Sequence, residues 1–80
     1  METLVPQLFD IVKQVVELYN LAYKRGWLTT HHLYFAEFPY KSPPYTPDFS
    51  QKFDTISIWD AYFEGCRAAK EFFVKQLKKV

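Results

Sequence analysis

The chain has 80 residues, nearly half of them apolar and a fifth aromatic, and its ten basic and nine acidic side chains almost cancel. This balance excludes the strong electrostatic field that steers a protein to DNA or to acidic lipid. A single cysteine, Cys66, excludes an internal disulfide and favours a reducing compartment, so we expect a cytoplasmic protein. A chain this short has a limited core, and oligomerisation is the remaining way to stabilise it.

Membrane and metal binding are not indicated. The apolar runs are a few residues long, whereas a membrane span needs about 20. The N-terminus lacks the basic stretch and apolar core that mark a secretory signal. Histidine and cysteine do not occur at zinc-site spacing. We therefore expect a soluble protein without a bound metal or cofactor.

Residues 4–25 carry apolar side chains at alternating spacings of three and four, which predicts an amphipathic helix. Leu21 is the exception, because it falls among the polar positions. Gly26 suits the left-handed residue that ends many helices, so we predict that the helix stops there. The apolar face covers about half the circumference and consists of two stripes: Leu4, Leu8, Ile11, Val15, Leu18 and Ala22 in one, and Val5, Phe9, Val12, Val16, Tyr19 and Tyr23 in the other.

A second amphipathic helix is predicted over residues 57–79. Ser57 can cap its N-terminus, and Asp60 occupies the matching position of a capping box. One side of the apolar face is bulky and the other is small. A glycine inside a helix costs about 1 kcal/mol relative to alanine, so Gly65 predicts a closely packed neighbour. The residues expected to form this close helix packing are Ala61, Gly65 and Ala68.

The connector, residues 26–56, holds half of the aromatic residues and four of the five prolines. The prolines favour an extended path, and the aromatic rings are expected to cover the helix pair as a lid. Thr30 is a candidate cap for a short helix over residues 31–37. An extended segment over residues 33–38 fits nearly as well, because periodicity does not distinguish short apolar runs.

These elements predict an all-α fold, with residues 1–80 as a single small domain. Matched helix lengths favour two long antiparallel helices. Each helix is apolar over half its surface, which exceeds what one neighbour covers. A homo-oligomer is therefore expected, and a two-fold four-helix bundle is the simplest form.

Catalytic chemistry is weakly supported by the sequence. His31 and His32 are adjacent, so their side chains diverge and do not readily hold one metal ion. Cys66 lies on an apolar stripe without a neighbouring base to activate it. Asp60 and Glu64 share a helix face, but the positive end of the helix accounts for both. We expect a protein that is not an enzyme.

Surplus apolar surface favours an interaction module, such as an adaptor, an assembly factor or an inhibitor, with a protein partner that the sequence does not identify. Tryptophan and tyrosine dominate binding hot spots, which makes Trp27, Tyr40, Tyr45 and Trp59 the candidate anchors. The alternative is nucleic-acid or nucleotide binding through the aromatic connector and the basic face of the second helix. In that case Arg67, Lys70 and Lys75 would contact phosphates.

Overall fold

The computed structural model describes the backbone of residues 4–78 and the side chains of residues 10–78. Helix α1 spans Leu4–Tyr34, a 3₁₀ helix spans Phe49–Gln51, and helix α2 spans Ile58–Lys78. The two long helices pack against each other, and the 3₁₀ helix packs on α1. Over these described residues the chain contains no strand. The predicted all-α fold built on two packed helices is confirmed.

Helix α1 continues past Gly26 to Tyr34, so the predicted end at residue 25 is wrong. Gly26 does not adopt a positive φ; it is buried inside the helix. The glycine allows close packing rather than a left-handed stop, because a Cβ on it would lie 2.0 Å from the Tyr62 carbonyl oxygen. Thr30 and His31 are buried on the continued helix face. This continuation replaces both the short helix over 31–37 and the extended segment over 33–38.

The start of α2 follows the predicted capping box. The Ser57 backbone N–H donates to Asp60 Oδ2 at 2.8 Å, and the Asp60 N–H donates to Ser57 Oγ at 3.2 Å. These two bonds satisfy two of the N–H groups that a helix N-terminus leaves unpaired. At the other end the helix is described to Lys78, and residue 79 lies outside the described residues.

The first half of the connector is held by two side chains of α1. His31 Nε2 donates to the Phe38 carbonyl oxygen at 2.8 Å. One turn earlier in α1, Trp27 Nε1 donates to the Lys41 carbonyl oxygen at 2.7 Å. As the chain advances from Phe38 to Lys41, its partner on α1 moves backwards by one turn. The connector therefore retraces the helix that precedes it.

The second half of the connector continues in the same direction. Asp48 caps the 3₁₀ helix by accepting a hydrogen bond from the Ser50 N–H at 3.1 Å. Phe49 is fully buried against the rings of Tyr19 and Tyr23. The Tyr19 hydroxyl donates to the Ile56 carbonyl oxygen at 2.6 Å. One side chain per turn of α1 thus anchors the connector along its length.

This return path sets the direction of α2. The connector ends beside Tyr19, near the middle of α1, and α2 starts there. The Phe73 ring stacks on Phe35 with centroids 5.4 Å apart, whereas Ala61 clusters with Tyr23. Early residues of α2 therefore contact the middle of α1 and late residues contact its end. The two helices run parallel, and the predicted antiparallel direction is corrected.

Candidate protein-interaction surface

The beginning of α1 extends beyond the rest of the molecule, which is 60 Å long. The five side chains from Asp10 to Gln14 are all exposed, and the core cluster around Ala61 reaches back only to Val16. The fully buried Ala61 and the connector both lie level with later turns of α1. The first described side chains of α1 are therefore open to solvent.

One side of α1 is apolar and open to solvent. Ile11, Leu18, Leu21 and Leu28 are exposed by 55%, 52%, 61% and 46%. They are separated by seven, three and seven residues, which is the spacing of a helix that meets another helix along a narrow seam. The core-facing stripe of α1 is separate and includes Tyr19, Tyr23 and Trp27. Packing within the chain therefore uses only part of the apolar surface of α1.

The open side of α1 and the first turns of α2 form one groove of about 640 Å³. Both helices contribute mainly apolar side chains, with two cations from α1. We call it the apolar groove; its lining residues are Leu18, Leu21, Ala22, Lys24, Arg25, Leu28, Tyr40, Ile58, Trp59 and Tyr62. An open concave surface of this composition is typical of a site that binds a protein segment.

Two aromatic rings, Trp59 and Tyr62, line the α2 side of the groove, and Phe63 contacts both of them from outside it. The Trp59 ring lies edge-on to Tyr62, with centroids 6.1 Å apart, and Tyr62 lies edge-on to Phe63 at 5.6 Å. Trp59 is 66% exposed and Phe63 57%. Mutual contact orders these rings before any partner binds, which reduces the entropy lost on association.

The four sequence-predicted anchors occupy different environments. Trp59 and Tyr40 both line the apolar groove. Tyr45 is exposed but lies elsewhere, beside Pro47 and Lys52. Trp27 is 2% exposed and belongs to the core, so its assignment as a partner-binding anchor is corrected. The burial of Trp27 follows from the continuation of α1, which places its indole between α2 and the connector.

The residues expected at close helix packing lie between α1 and α2. A Cβ on Gly65 would stand 2.0 Å from the Tyr23 carbonyl oxygen. Ala61 is fully buried and Ala68 is half-buried against both core clusters. The small side of α2 therefore faces α1, and its bulky first turns face the groove.

The candidate phosphate-binding residues are exposed on α2. Arg67 and Lys70 line a second groove of about 590 Å³ together with Tyr34, whereas Lys75 does not line it. Arg67 also lies beside Glu64 and Glu71. These carboxylates reduce the positive charge that a phosphate would meet.

Burial raises the pKa of the Tyr23 phenol above its ordinary value, and the nearby Glu64 carboxylate and Tyr45 phenol add to this effect. Such a shift keeps the phenol protonated and neutral in the core. His31 is buried and hydrogen-bonded, while His32 is exposed, so the pair does not converge. Among the described residues, His, Cys, Asp and Glu side chains form no group of three or more that would hold a metal ion.

Sequence reasoning missed two of the three groove leucines. Leu18 lies on the predicted apolar face, but the sequence pattern places Leu21 among the polar positions of α1 and Leu28 in the connector. The available signal was the heptad spacing that links Ile11, Leu18, Leu21 and Leu28, which becomes visible once α1 is extended past Gly26. That extension was hidden because the buried residues after Gly26 include the polar Thr30 and His31.

Within residues 4–78, neither long helix has the length and hydropathy required to cross a membrane. Comparison with known protein families, curated proteins and solved structures found no match for this chain.

Proposed function

We propose that this protein is a small non-enzymatic interaction module that binds a helix of another polypeptide chain in the apolar groove. The observation that carries the proposal is the open row of Leu18, Leu21 and Leu28 beside Trp59. A helix laid in such a groove buries its own apolar face against these side chains. Burial of apolar area contributes about 25 cal/mol per Å², and exposed leucines provide that area at little desolvation cost.

Photo-crosslinking in living cells tests this function. A photoreactive p-benzoylphenylalanine replaces Leu21 in the groove, or Lys75 on the exposed face of α2 as the matched control. We expect adducts of defined mass from the Leu21 position that are absent from the Lys75 position. They should also disappear when Leu18→Lys is added, because a charge in the groove opposes apolar burial. A groove position that yields no specific adduct contradicts the proposal.

Nucleic-acid or nucleotide binding is the second candidate. Its support is the groove in which Arg67 and Lys70 flank the exposed ring of Tyr34, which combines cations with a stacking surface. It ranks second because Glu64 and Glu71 lie beside Arg67. It predicts binding to a single-stranded oligonucleotide that weakens steeply with salt and is lost on neutralising Arg67 and Lys70.

A further inference from the structure

We propose that the helix bound in the apolar groove is α1 of a second copy of this chain, with the two α1 helices antiparallel around a two-fold axis between Tyr19 and Asn20. This inference rests on the proposed function and adds the identity and direction of the occupant. Each copy would place residues 11–21 of its α1 in the groove of the other, so both open surfaces are covered by one symmetric contact.

The first argument is the register of the apolar side chains. An antiparallel pair centred between Tyr19 and Asn20 sets Leu18 against Leu21 of the other copy. The same alignment sets Ile11 against Leu28 and Gln14 against Arg25. Helices that pair in this direction alternate a and d positions in each layer, and these pairs satisfy that rule. The four members of the heptad-spaced row, Ile11, Leu18, Leu21 and Leu28, are thus all matched with each other.

The second argument is charge. The exposed charges of α1 differ in net sign on the two sides of the centre: Asp10, Lys13 and Glu17 before it carry one net negative charge, and Lys24 and Arg25 after it carry two positive charges. Antiparallel pairing brings Glu17 within about one turn of Lys24 of the other copy, and symmetry repeats this pair. Parallel pairing would instead bring each charged side chain beside the identical side chain of the other copy, and this repulsion makes it less favourable.

The third argument is coverage. In the antiparallel register Leu18 to Leu28, the α1 wall of the groove, lies opposite residues 11–21 of the other copy, and each segment is about 15 Å long at 1.5 Å per residue. Trp59 and Tyr62 line the same groove and would flank the bound segment. The side chains of residues 11–14, which are exposed within their own copy, would therefore be covered by the groove of the other copy.

The direction is tested by disulfide cross-linking in full-length protein carrying Cys66→Ser. Ile11→Cys and Leu28→Cys are introduced in separate preparations, which are then mixed and oxidised. We expect a cross-linked dimer in the mixture and little in Ile11→Cys alone, because its two copies would be about 25 Å apart along the helix axis. Efficient cross-linking of Ile11→Cys alone indicates a parallel pair and overturns the inference.

The charge argument is tested by the dissociation constant of the dimer at low salt. Glu17→Lys alone, or Lys24→Glu alone, places like charges together twice and should weaken the dimer about tenfold. The double variant Glu17→Lys with Lys24→Glu should restore the original value. Lys75→Glu, at an exposed position of α2 that does not line the groove, serves as the control and should leave it unchanged. Failure of the double variant to recover overturns the proposed register.

Solution mass separates this inference from the proposed function. Light scattering should give twice the 9.6 kDa mass of the chain, and Leu21→Lys should give the monomer with its helicity retained. A wild-type monomer at all concentrations whose Leu21 photo-adducts contain a different protein overturns the second copy as occupant and leaves the proposed function standing. A monomer without any adduct overturns both.

Discussion

Gly26 of α1 and Gly65 of α2 lie at the closest approach of the two helices, and each faces the backbone of the other helix. A Cβ on Gly26 would stand 2.0 Å from the Tyr62 carbonyl oxygen, and one on Gly65 would stand 2.0 Å from the Tyr23 carbonyl oxygen. These contacts are with backbone atoms, so a side-chain rotation does not relieve them. The two glycines fix how near the helix axes come.

Gly26→Ala and Gly65→Ala should each lower the free energy of unfolding by about 1–3 kcal/mol through overpacking. The sign of the change is informative, because the same substitution in an open helix position would stabilise by about 1 kcal/mol. Urea unfolding followed by circular dichroism measures it. A stabilised variant would show that the helices do not meet at that glycine.

Phe49 attaches the connector to α1, since its ring is fully buried against Tyr19 and Tyr23. Phe49→Ala should lower the free energy of unfolding by about 3–5 kcal/mol, a loss that threatens folding in a chain of this size. Phe49→Leu preserves much of the volume and should cost less. Phe63→Ala, which truncates a 57% exposed ring, is the matched control and should cost much less than Phe49→Ala in denaturant titrations.

Ser57 caps α2 through the hydrogen bond between its Oγ and the Asp60 N–H. Ser57→Ala removes that acceptor and should lower the free energy of unfolding by about 1 kcal/mol. Ser42→Ala, at an exposed connector position, is the control and should be close to neutral. Equal effects of the two substitutions in thermal unfolding would contradict the capping role.

The raised pKa of Tyr23 predicts that the folded protein loses stability at alkaline pH. Its pKa in the folded state lies above the ordinary value of 10.0, so in the unfolded chain its proton dissociates first. Above about pH 10 the unfolded state therefore binds fewer protons, and stability falls as the pH rises. Tyr23→Phe removes this contribution, so its free energy of unfolding should fall less than that of the wild type between about pH 8 and about pH 11. Identical falls would contradict the assignment.

The sequence was sufficient to predict the elements whose signals come from residues close together along the chain. Ser57 and Asp60 are three residues apart, and the periodicity of residues 57–79 is regular, so the start of α2 was predictable. Gly26 misled the prediction because a glycine can end a helix or allow close packing, and only the position of Tyr62 distinguishes these roles. The direction of α2 depends on where the connector is anchored, through bonds such as Trp27 to Lys41, and residue types alone do not specify that path.

The position of the groove was also only partly predictable from the sequence. The excess of apolar residues indicated that some surface would remain uncovered, but not which stripe of α1 the core would use. Tyr19 and Tyr23 belong to the core-facing stripe because the connector returns over them, which leaves Leu18 and Leu21 outside. The prediction of Trp27 as a partner-binding anchor was wrong for the same reason, because the sequence did not show that Trp27 lies on the core-facing stripe.

The returning connector has a consequence for folding kinetics. In an antiparallel helical hairpin the first contacts form across a short turn, but here Gly65 meets Tyr23 and Phe73 meets His31 across about 40 residues of chain. A long loop must therefore close before α1 and α2 stabilise each other, and the entropy lost in closing it precedes most of the favourable contacts. This two-helix protein should consequently fold more slowly than helical hairpins of its size, at rates nearer those of mixed α/β domains.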